Sequence, residues 1–553
     1  MAGSWAPLTN QPGFNTGTMI LLTDGRVMVQ EEGTAHWHAL TPDSTGSYVN
    51  GSWSALHDMS FWRRYYVSAV LRDGRVLVCG GEQTGDTGDT NKGEIYDPTT
   101  DVWTPMALPP WPNVGDAACC TLPDGRVLIG ALLSGDCIIY DPVTNSWTPT
   151  GAQSGRTNEE TWILLPDGTI VAPQCFPPFG SQKYIIATGV WQDEGALPVT
   201  IIDPVMSEIG PGMLLYNGKA IFFGSANSDG FGETVLYQPP SVATSQGTWT
   251  AGPHIPQVGG QTIVSNDCPA TLLPNGKVLF TGANFAANAW GTPVLFFEYD
   301  PVANAIAQVP TPPNNATYPY PDPGSAGVYW SRMMLLPTGQ VLFSASSPNV
   351  QCYEPDGGPV ASWRPTITTI HPNGSGSFTV TGTQLNGLSQ ANIYGDDCYP
   401  ATNYPLVRLT GSDGSVYYCR TSNFSTMAVG ASGTQSATFS ITGVPWGPYE
   451  LEVVANGISS ATRSFTIGLL KPLVLDIPLK AVVENIFKWS EGDRFKWIEQ
   501  VIDPEIIRLR TSVRELRNEV GRLNSLISAK DLPRVGAQIA KQAHANEDRP
   551  ATN

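Results

Sequence analysis

The sequence contains few histidines and cysteines and, over most of its length, few basic residues. Its 553 residues include 6 His and 9 Cys, and the formal net charge is −18. The shortage of basic residues is confined to residues 1–469, which hold 16 Lys or Arg against 36 Asp or Glu. Because proteins bind nucleic acid and anionic lipid largely through lysine and arginine, this acidic composition argues against both partners.

Long apolar runs, a signal peptide and several common catalytic motifs are also missing. No stretch approaches the roughly 18 apolar residues that indicate a membrane span. The N-terminus lacks the charged and apolar regions of a signal peptide, so we expect a cytoplasmic protein as synthesised, with leaderless export or attachment to a particle left open. No Ser-His-Asp order, nucleotide-binding loop or Cys-x-x-Cys pair is present. Scattered cysteines favour free, buried thiols, with a Cys398–Cys419 disulfide as the alternative.

A repeated β-turn dominates the first 340 residues instead. Seven similar segments, from LLTDGRVMV to LLPTGQVLF, each place a glycine between two apolar runs, 43 to 63 residues apart. The turn glycines are Gly25, Gly74, Gly125, Gly168, Gly218, Gly276 and Gly339. An Asp-Gly or Asn-Gly pair between apolar runs predicts a two-residue hairpin turn, and a period near 50 residues is typical of kelch blades. Seven hairpins therefore predict seven blades.

Two further cues recur within the repeat. Tyr-Asp-Pro or a close variant appears at residues 96–98, 140–142, 299–301 and 353–355, and a Trp enters an outer strand at positions 53, 103, 147 and 249. These cues predict four strands in each blade. Trp5 in SWAPL precedes the first complete repeat. We therefore predict that this segment supplies the outer strand of the last blade and closes the ring, which leaves few free sheet edges.

The chain divides into three parts and is predicted to be mainly β. Residues 1–364 are predicted to form a seven-bladed kelch-type β-propeller. Residues 365–468 contain short alternating strands and turns, which indicate an immunoglobulin-like β-sandwich. Residues 469–553 change to charged helix-forming residues, and Asp503-Pro504-Glu505 is a typical helix start, so we predict an α-helical tail.

An apolar heptad pattern runs through residues 506–527 of this tail. Its a and d positions are Ile506, Leu509, Val513, Leu516, Val520, Leu523 and Ile527. Ile or Val at every a and Leu at every d favours a parallel two-stranded coiled coil. Three heptads are few, so a homotrimer stays open beside the homodimer. The alternative is a single amphipathic helix that lies on the sandwich.

Seven kelch repeats followed directly by an immunoglobulin-like domain resemble the galactose oxidase and glyoxal oxidase family over most of residues 1–468. Local similarities are His57-Asp58-Met59, Val328-Tyr329 and the run at 353–365. The resemblance implies a fold used by copper radical enzymes. Active members use a Cys crosslinked to a Tyr, a stacking Trp, a Tyr-His pair and a His from a loop of the C-terminal domain.

This sequence departs from the family pattern at those positions, although Tyr329 is retained. The slots of the cysteine, the crosslinked tyrosine, the stacking tryptophan, the paired histidine and the loop histidine hold, in that order, Tyr65, Asp116, Leu133, Trp330 and Tyr399. Copper(II) in such a site requires imidazole ligands. The resemblance therefore supports the fold, while the residues predict neither copper nor copper radical catalysis.

One residue of each blade is predicted to lie at the mouth of its innermost strand, and we call this set the funnel. It comprises Thr16, Tyr65, Asp116, Glu159, Ile209 with Glu208 before it, Asp267 and Trp330, joined by Tyr329 and Tyr399. Clustered carboxylates raise one another's pKa or bind a cation. Asp116, Glu159 and Asp267 are therefore candidate calcium ligands, and a sugar or amine would also suit acids beside aromatic rings. The alternative is that each acid hydrogen-bonds to backbone amides or to nearby arginines.

The leading functional hypothesis is a non-catalytic binding module. A helical stalk would multimerise the propeller, so that weak contacts with a glycan or a protein become avid. Such a protein would suit a surface or appendage component of a larger assembly. The alternative is an enzyme, either a diverged galactose or glyoxal oxidase-like protein or a hydrolase that uses the funnel carboxylates.

Overall fold

The computed structural model describes residues 3–468, apart from gaps at 83, 86–87, 227, 286–292, 314–326, 391 and 395–402. The predicted helical tail and its heptad positions lie outside the described residues. The described residues of 3–373 and 377–467 belong to one compact unit. Among the described residues, no helix is long and apolar enough to cross a membrane.

Seven antiparallel sheets follow one another along residues 4–354 and are the blades of a β-propeller. Strand β1 is Ser4–Pro7. Blade 1 contains β2 (Thr16–Leu21), β3 (Val27–Glu31), β4 (Trp37–Thr41) and β5 (Ser52–Leu56). Blade 2 contains β6 (Val67–Val70), β7 (Val76–Cys79), β8 (Gly93–Asp97) and β9 (Val102–Pro105). Blade 3 contains β10 (Cys119–Thr121), β11 (Val127–Gly130), β12 (Cys137–Asp141) and β13 (Ser146–Pro149).

The remaining blades repeat this order of strands. Blade 4 contains β14 (Ile163–Leu164), β15 (Thr169–Gln174), β16 (Gly180–Ile185) and β17 (Val190–Gly195). Blade 5 contains β18 (Gly212–Leu214), β19 (Ala220–Ala226), β20 (Gly232–Gln238) and β21 (Thr248–Ala251). Blade 6 contains β22 (Ile263–Val264), β23 (Pro269–Leu272), β24 (Val278–Asn284), β25 (Leu295–Asp300) and β26 (Ala305–Val309). Blade 7 contains β27 (Ser331–Leu335), β28 (Val341–Ala345) and β29 (Gln351–Glu354).

The ring is closed by the N-terminal strand, as the SWAPL segment predicts. Strand β1 pairs with β29 as the fourth strand of blade 7, with Ser4 opposite Glu354 and Pro7 opposite Gln351. The Trp5 indole also donates to the Pro310 carbonyl oxygen at 2.7 Å, and this oxygen belongs to the chain that leaves blade 6. The prediction of closure is therefore confirmed.

The outer-strand tryptophans join neighbouring blades, and their prediction is also confirmed. Each indole N–H donates to a backbone carbonyl of the preceding blade or its connection. These bonds run from Trp53 to Asn10 (2.9 Å), Trp103 to His57 (2.8 Å), Trp147 to Ala107 (2.7 Å) and Trp249 to Glu194 (3.2 Å). Tyr96 and Tyr140 of the Tyr-Asp-Pro segments pack their rings against Trp103 and Trp147, at centroid distances of 5.1 and 4.9 Å. The tryptophan indoles thus join adjacent blades, and the tyrosine rings pack against them within each blade.

The seven turn glycines all adopt left-handed backbone conformations, with φ between +79° and +92°. The turn itself differs from the predicted two-residue hairpin. In blade 1 the Gly25 amide donates to the Leu22 carbonyl, and the Leu22 amide donates to the Arg26 carbonyl. This pattern encloses three loop residues, a type I turn followed by glycine in the left-handed region. The same pair of bonds recurs in all seven blades.

The strands after the propeller form two further antiparallel sheets. The first contains β30 (Thr366–Gly374), β31 (Ser377–Thr383), β35 (Thr421–Ser422) and β36 (Gln435–Ser440). The second contains β33 (Leu406–Gly411), β34 (Val416–Cys419), β37 (Gly447–Ala455), β38 (Ile458–Ser459) and β39 (Arg463–Ile467). Strand β32 (Asn392–Tyr394) lies elsewhere. Phe439 of one sheet contacts Phe465 of the other, at a centroid distance of 5.9 Å, so the sheets share an apolar core. The immunoglobulin-like assignment and the domain boundaries stay predictions.

These two sheets contact the face of the propeller that carries the turns. The Thr421 amide donates to the Thr23 carbonyl at 3.0 Å, and the Met427 amide donates to the Pro123 carbonyl at 2.8 Å. Gly25 lies so close to the Tyr418 ring that a Cβ added there would come within 2.5 Å of it. The glycine is therefore required both for its backbone conformation and for this contact. The opposite ends of the inner strands form the other face of the ring.

The cysteines agree with the expectation of buried thiols. Eight of them are free and buried, among them Cys419. Cys398, its proposed disulfide partner, lies outside the described residues. Burial raises the pKa of the Cys419 thiol to about 12, so it is protonated near neutral pH.

Candidate functional site

The predicted funnel residues lie where the innermost strands begin. Tyr65 precedes β6, Asp116 precedes β10 and Asp267 precedes β23. Glu159 and Glu208 lie shortly before β14 and β18. The inner strands are neighbours around a ring, since β27 contacts β2 and β23, β18 contacts β14 and β23, and β6 contacts β10. Corresponding positions on these strands therefore open on one face, away from the turns.

Four funnel residues share an unusual backbone conformation. Tyr65, Asp116, Glu159 and Asp267 have φ values of +49°, +48°, +62° and +49°. None is a glycine, and holding such a residue in the left-handed region costs about 1–3 kcal/mol, which is seen most often at functional sites. Blade 5 has Ser207, next to Glu208, at +63°. The same backbone feature thus marks the mouth of five consecutive blades.

Backbone hydrogen bonds connect these positions from one blade to the next. The Asp116 amide donates to the Tyr65 carbonyl at 2.8 Å, and the Asp267 amide donates to the Ile209 carbonyl at 2.9 Å. Ala117 forms an isolated β-bridge with Asn158, the residue before Glu159. The funnel backbone is therefore continuous from blade 2 to blade 4 and from blade 5 to blade 6.

Aromatic rings and arginines lie between blades 7, 1 and 2. The Arg64 guanidinium lies over the Trp330 ring, 5.0 Å from its centroid. Arg64 Nε also donates to Glu32 Oε1 at 2.5 Å. The Tyr329 and Trp330 rings are 5.1 Å apart. A cation over an aromatic face is stabilising when it is partly withdrawn from water, so Arg64 holds Trp330 in place.

Electrostatic interactions link this aromatic part to the acids. Burial raises the pKa of the Tyr329 hydroxyl and the charge of Asp267 raises it further, while Arg64 and Arg332 act in the opposite direction. Burial also raises the pKa of the Cys268 thiol, with smaller contributions from Asp267 and Glu208. Tyr329 and Asp267 therefore interact electrostatically, and the two arginines offset part of the negative charge at Tyr329.

Other predicted positions differ from the funnel expectation. Thr16 is 1% exposed and its hydroxyl donates to the Ser347 carbonyl at 3.0 Å, and Ile209 is 2% exposed. Thr16 and Ile209 are therefore part of the buried core and do not line a solvent-accessible funnel. Leu133 is 68% exposed on a loop. Tyr399 lies outside the described residues.

A strand from the C-terminal region lies against the inner strands of the ring. Strand β32 pairs antiparallel with β23, with Tyr394 opposite Pro269 and Asn392 opposite Thr271. It also contacts β18 and β27. Blade 6 thereby gains a further inner strand, and this strand ends beside Pro269, two residues from Asp267. Nothing in the sequence of residues 392–394 indicates such a long-range pairing, so it was not predicted.

The described funnel residues do not fit the copper centre that the family resemblance implies. Copper(II) favours imidazole nitrogen, and four of the five described histidines contact carboxylates elsewhere. These pairs are His36–Asp58, His38–Glu31, His57–Asp101 and His254–Asp229, with N···O distances of 2.9, 3.3, 3.3 and 3.7 Å. His371 lies in the exposed strand β30. Carboxylates and tyrosines at the mouth suit a hard cation better than copper.

A buried acid next to the funnel was not predicted. Glu160 follows Glu159 and is fully buried, with Oε2 accepting a hydrogen bond from the Trp162 indole at 2.9 Å. Its Oε1 has no hydrogen-bond partner among the described residues. Burial raises the pKa of this carboxyl to about 8, although the Trp162 indole, the Gln153 side chain and the Cys175 backbone act the other way. Glu160 is thus largely protonated at neutral pH. Adjacent glutamates look equivalent in sequence, and only their burial distinguishes them.

Similarity to known proteins agrees with this architecture. Residues 63–107 match the kelch motif. The chain is 32% identical to galactose oxidase from Gibberella zeae over 83 residues, which are 15% of this chain and 11% of that relative. It is also similar to a fungal alcohol oxidase of the AA5 family solved in complex with copper, with a TM-score of 0.50 and 15% identity over 85% of this chain and 100% of the other. That identity shows a shared fold and no more. Together, the kelch match, the partial galactose oxidase match and the shared fold support the resemblance to a galactose oxidase-like kelch family.

Proposed function

We propose that the protein is a non-catalytic binding module whose funnel recognises a glycan or a protein group. The observation that carries this proposal is the set of Tyr65, Asp116, Glu159 and Asp267 in left-handed backbone at the mouth of the ring. Strained backbone of this kind persists where surrounding contacts fix the conformation, and it is found most often at functional sites. The hydrogen bonds between blades supply that support.

The side chains around the mouth suit a polar ligand with apolar faces. Trp330 and Tyr329 offer aromatic surface, and Arg64 is already stacked on Trp330. Carboxylates beside aromatic rings provide acceptors for hydroxyl or amino groups, which is typical of sites that orient a small ligand. We further propose that Asp116, Glu159 and Asp267 bind calcium, because grouped carboxylate oxygens suit this ion.

The proposed stalk would increase the strength of weak binding. Residues 506–527 carry the heptad pattern of a parallel dimer or trimer. Joining several funnels on one particle makes the second contact intramolecular and raises the overall affinity without new contacts. A surface or appendage component of a larger assembly is the proposed setting.

An enzyme is the second candidate, and the family fold favours it. A diverged oxidase would need a redox centre, and the funnel residues at the family's slots lack the cysteine and the imidazoles. A hydrolase would need only carboxylates acting as acid and base. Asp116, Glu159 and Asp267 supply carboxylates, but the binding proposal accounts equally for them and also for the aromatic side of the mouth.

The deciding experiment compares wild type with Asp116→Asn/Asp267→Asn. Asparagine tolerates left-handed backbone, so this variant removes charge and keeps the strained turns. Leu133→Ala is the matched control at an exposed position. We expect wild type and control to bind a member of a panel of neutral and amino sugars and to gain melting temperature with Ca²⁺ by mass action. The double variant should lose both responses.

The same preparations test the enzyme alternative. Copper-loaded wild type should release no peroxide from primary alcohols or aldehydes, and mass spectrometry should find no thioether-linked peptide. Peroxide release at the rate of an active family member would refute the non-catalytic proposal. Sugar binding and a calcium response that survive in Asp116→Asn/Asp267→Asn would place the ligand elsewhere on the molecule.

A further inference from the structure

A mixed cluster of acids and a histidine lies on blade 5, apart from the funnel residues. Asp229, Glu233 and His254 each offer one ligand atom, and these atoms all lie within 4.8 Å of one another. Asp229 is in the connection between β19 and β20, Glu233 is in β20, and His254 follows β21. One blade thus brings together three side chains spread over 26 positions of sequence.

The backbone of blade 5 fixes the positions of these side chains. Gly232 forms a β-bridge with Ile255, whose amide donates to the Gly232 carbonyl at 2.8 Å. Continuing this antiparallel register places Glu233 opposite His254, and cross-strand neighbours have Cβ atoms about 4.5–5.5 Å apart. Asp229 Oδ1 accepts a hydrogen bond from the Phe231 amide at 3.1 Å, which orients the third side chain. The cluster is therefore preorganised by backbone contacts.

Glu233 is the unusual member of the cluster. It is 2% exposed, and within the described part of the chain no lysine or arginine forms an ion pair with it or with Asp229. The charged groups that interact with the Glu233 carboxylate are the His254 imidazole and the carboxylate of Asp229. His254 Nδ1 is 3.7 Å from Asp229 Oδ2, so one imidazole must balance two acids. A buried carboxylate beside another carboxylate either shares a proton with it or is stabilised by a cation between them.

The exposed side of the cluster allows an ion to enter. The side chains of His254 and Asp229 are 47% and 46% exposed, whereas Glu233 forms the floor. The end of β19 lies at the same edge of blade 5 as the start of β18, because Phe222 pairs with Gly212. The cluster therefore lies on the funnel face of the ring, at the outer part of blade 5.

We propose that Asp229, Glu233 and His254 bind one divalent transition-metal ion of the zinc class, with water completing its coordination. One imidazole nitrogen and two carboxylate oxygens are ligands that Zn²⁺ accepts. Calcium and magnesium prefer oxygen ligands alone, so the histidine discriminates against them. The ion would tie the connection between β19 and β20 to the chain after β21 and stiffen this part of the funnel face. This inference does not depend on the proposed binding function.

The test uses the untagged full chain, stripped with a chelator, and Zn²⁺ alone as the probe. Calorimetric titration should show one ion per chain, and Zn²⁺ should raise the melting temperature while Mg²⁺ at the same concentration does not. His254→Ala and Glu233→Gln should each weaken Zn²⁺ binding by more than the roughly 10- to 100-fold expected for loss of an outer-shell partner. Glutamine keeps the shape of the buried side chain, so Glu233→Gln tests the ligand without leaving a cavity.

His36→Ala is the matched control, because His36 also pairs with an exposed aspartate, Asp58, at 2.9 Å. It should bind Zn²⁺ like wild type. Bound Co²⁺ gives a second readout, since its visible absorption should appear in wild type and be lost in His254→Ala. Wild-type affinity weaker than about 1 mM would overturn the proposal. Equal loss in His36→Ala and His254→Ala would also overturn it and indicate adventitious binding.

Discussion

Glu160 allows a direct test of how burial controls charge beside the funnel. Its carboxyl is fully buried, and one oxygen has no hydrogen-bond partner among the described residues. Glu160→Gln keeps the size and the planar end group, and its amide oxygen can still accept the hydrogen bond from the Trp162 indole. The substitution removes the ability to ionise and replaces the second oxygen with an amide NH2 group.

The magnitude follows from the difference between the folded and unfolded pKa. Burial raises the pKa of Glu160 from 4.5 to about 8. Between these values the folded state holds one more proton than the unfolded state, so the free energy of unfolding falls as pH rises, by about 1.4 kcal/mol per pH unit. Below the unfolded pKa, Glu160 does not reduce the free energy of unfolding. The reduction is roughly 3 kcal/mol at pH 7, and it reaches its full value of about 5 kcal/mol when the pH exceeds the folded pKa.

Melting of wild type and Glu160→Gln across this pH range measures the effect. Near about pH 5 the variant and wild type should have similar melting temperatures. Toward about pH 8 the melting temperature of the variant should exceed that of wild type by a growing margin. Glu354→Gln, at an exposed position of β29, is the control for loss of one charge. A Glu160→Gln variant that melts below wild type by the same margin at both ends would show that this carboxyl is ionised in the folded protein, and the reasoning would fail.

Two further predictions concern a buried ion pair and the tail. Lys183 Nζ lies 3.1 Å from Glu194 Oε1 with both side chains fully buried, so Lys183→Met should cost about 3–5 kcal/mol by leaving an unpaired charge. Lys183→Met/Glu194→Gln should recover part of this, and a single variant that unfolds like wild type in urea would contradict the argument. Leu516→Asp should convert the oligomer to monomers without melting the propeller, because it places a charge in the apolar seam. Asn518→Asp, outside the seam, should not, and light scattering that finds a wild-type monomer at micromolar concentration rules out the stalk.

The repeated features of the fold could be predicted because each depends on local chemistry. Turn glycines, Tyr-Asp-Pro segments and outer-strand tryptophans recur through the blades, and the turn glycines make the same hydrogen bond in all seven blades. Closure by the Trp5 segment could be predicted because this outer-strand tryptophan precedes the first complete repeat. The exact turn could not, since a type I turn and a two-residue turn use the same Asp-Gly pair.

The site was harder to predict because its geometry comes from contacts between distant segments. Counting from the turns located Tyr65, Asp116 and Asp267, and the left-handed backbone was found only in three dimensions, since none is a glycine. The pairing of β32 with β23 joins segments more than 120 residues apart. Glu160 and Glu233 are set apart by burial alone, which no neighbouring residue indicates.

The pairing of β1 with β29 has a consequence for folding during synthesis on the ribosome. Ser4 emerges first, but its partner Glu354 follows some 350 residues later. At about 5–20 residues per second, roughly 20 to 70 s pass between the two. During that time β1 has no partner strand, because blade 7 has not yet been synthesised. Four residues ending in Pro7 make a poor template for pairing with other chains, so the shortness of this strand protects the nascent protein until the ring closes.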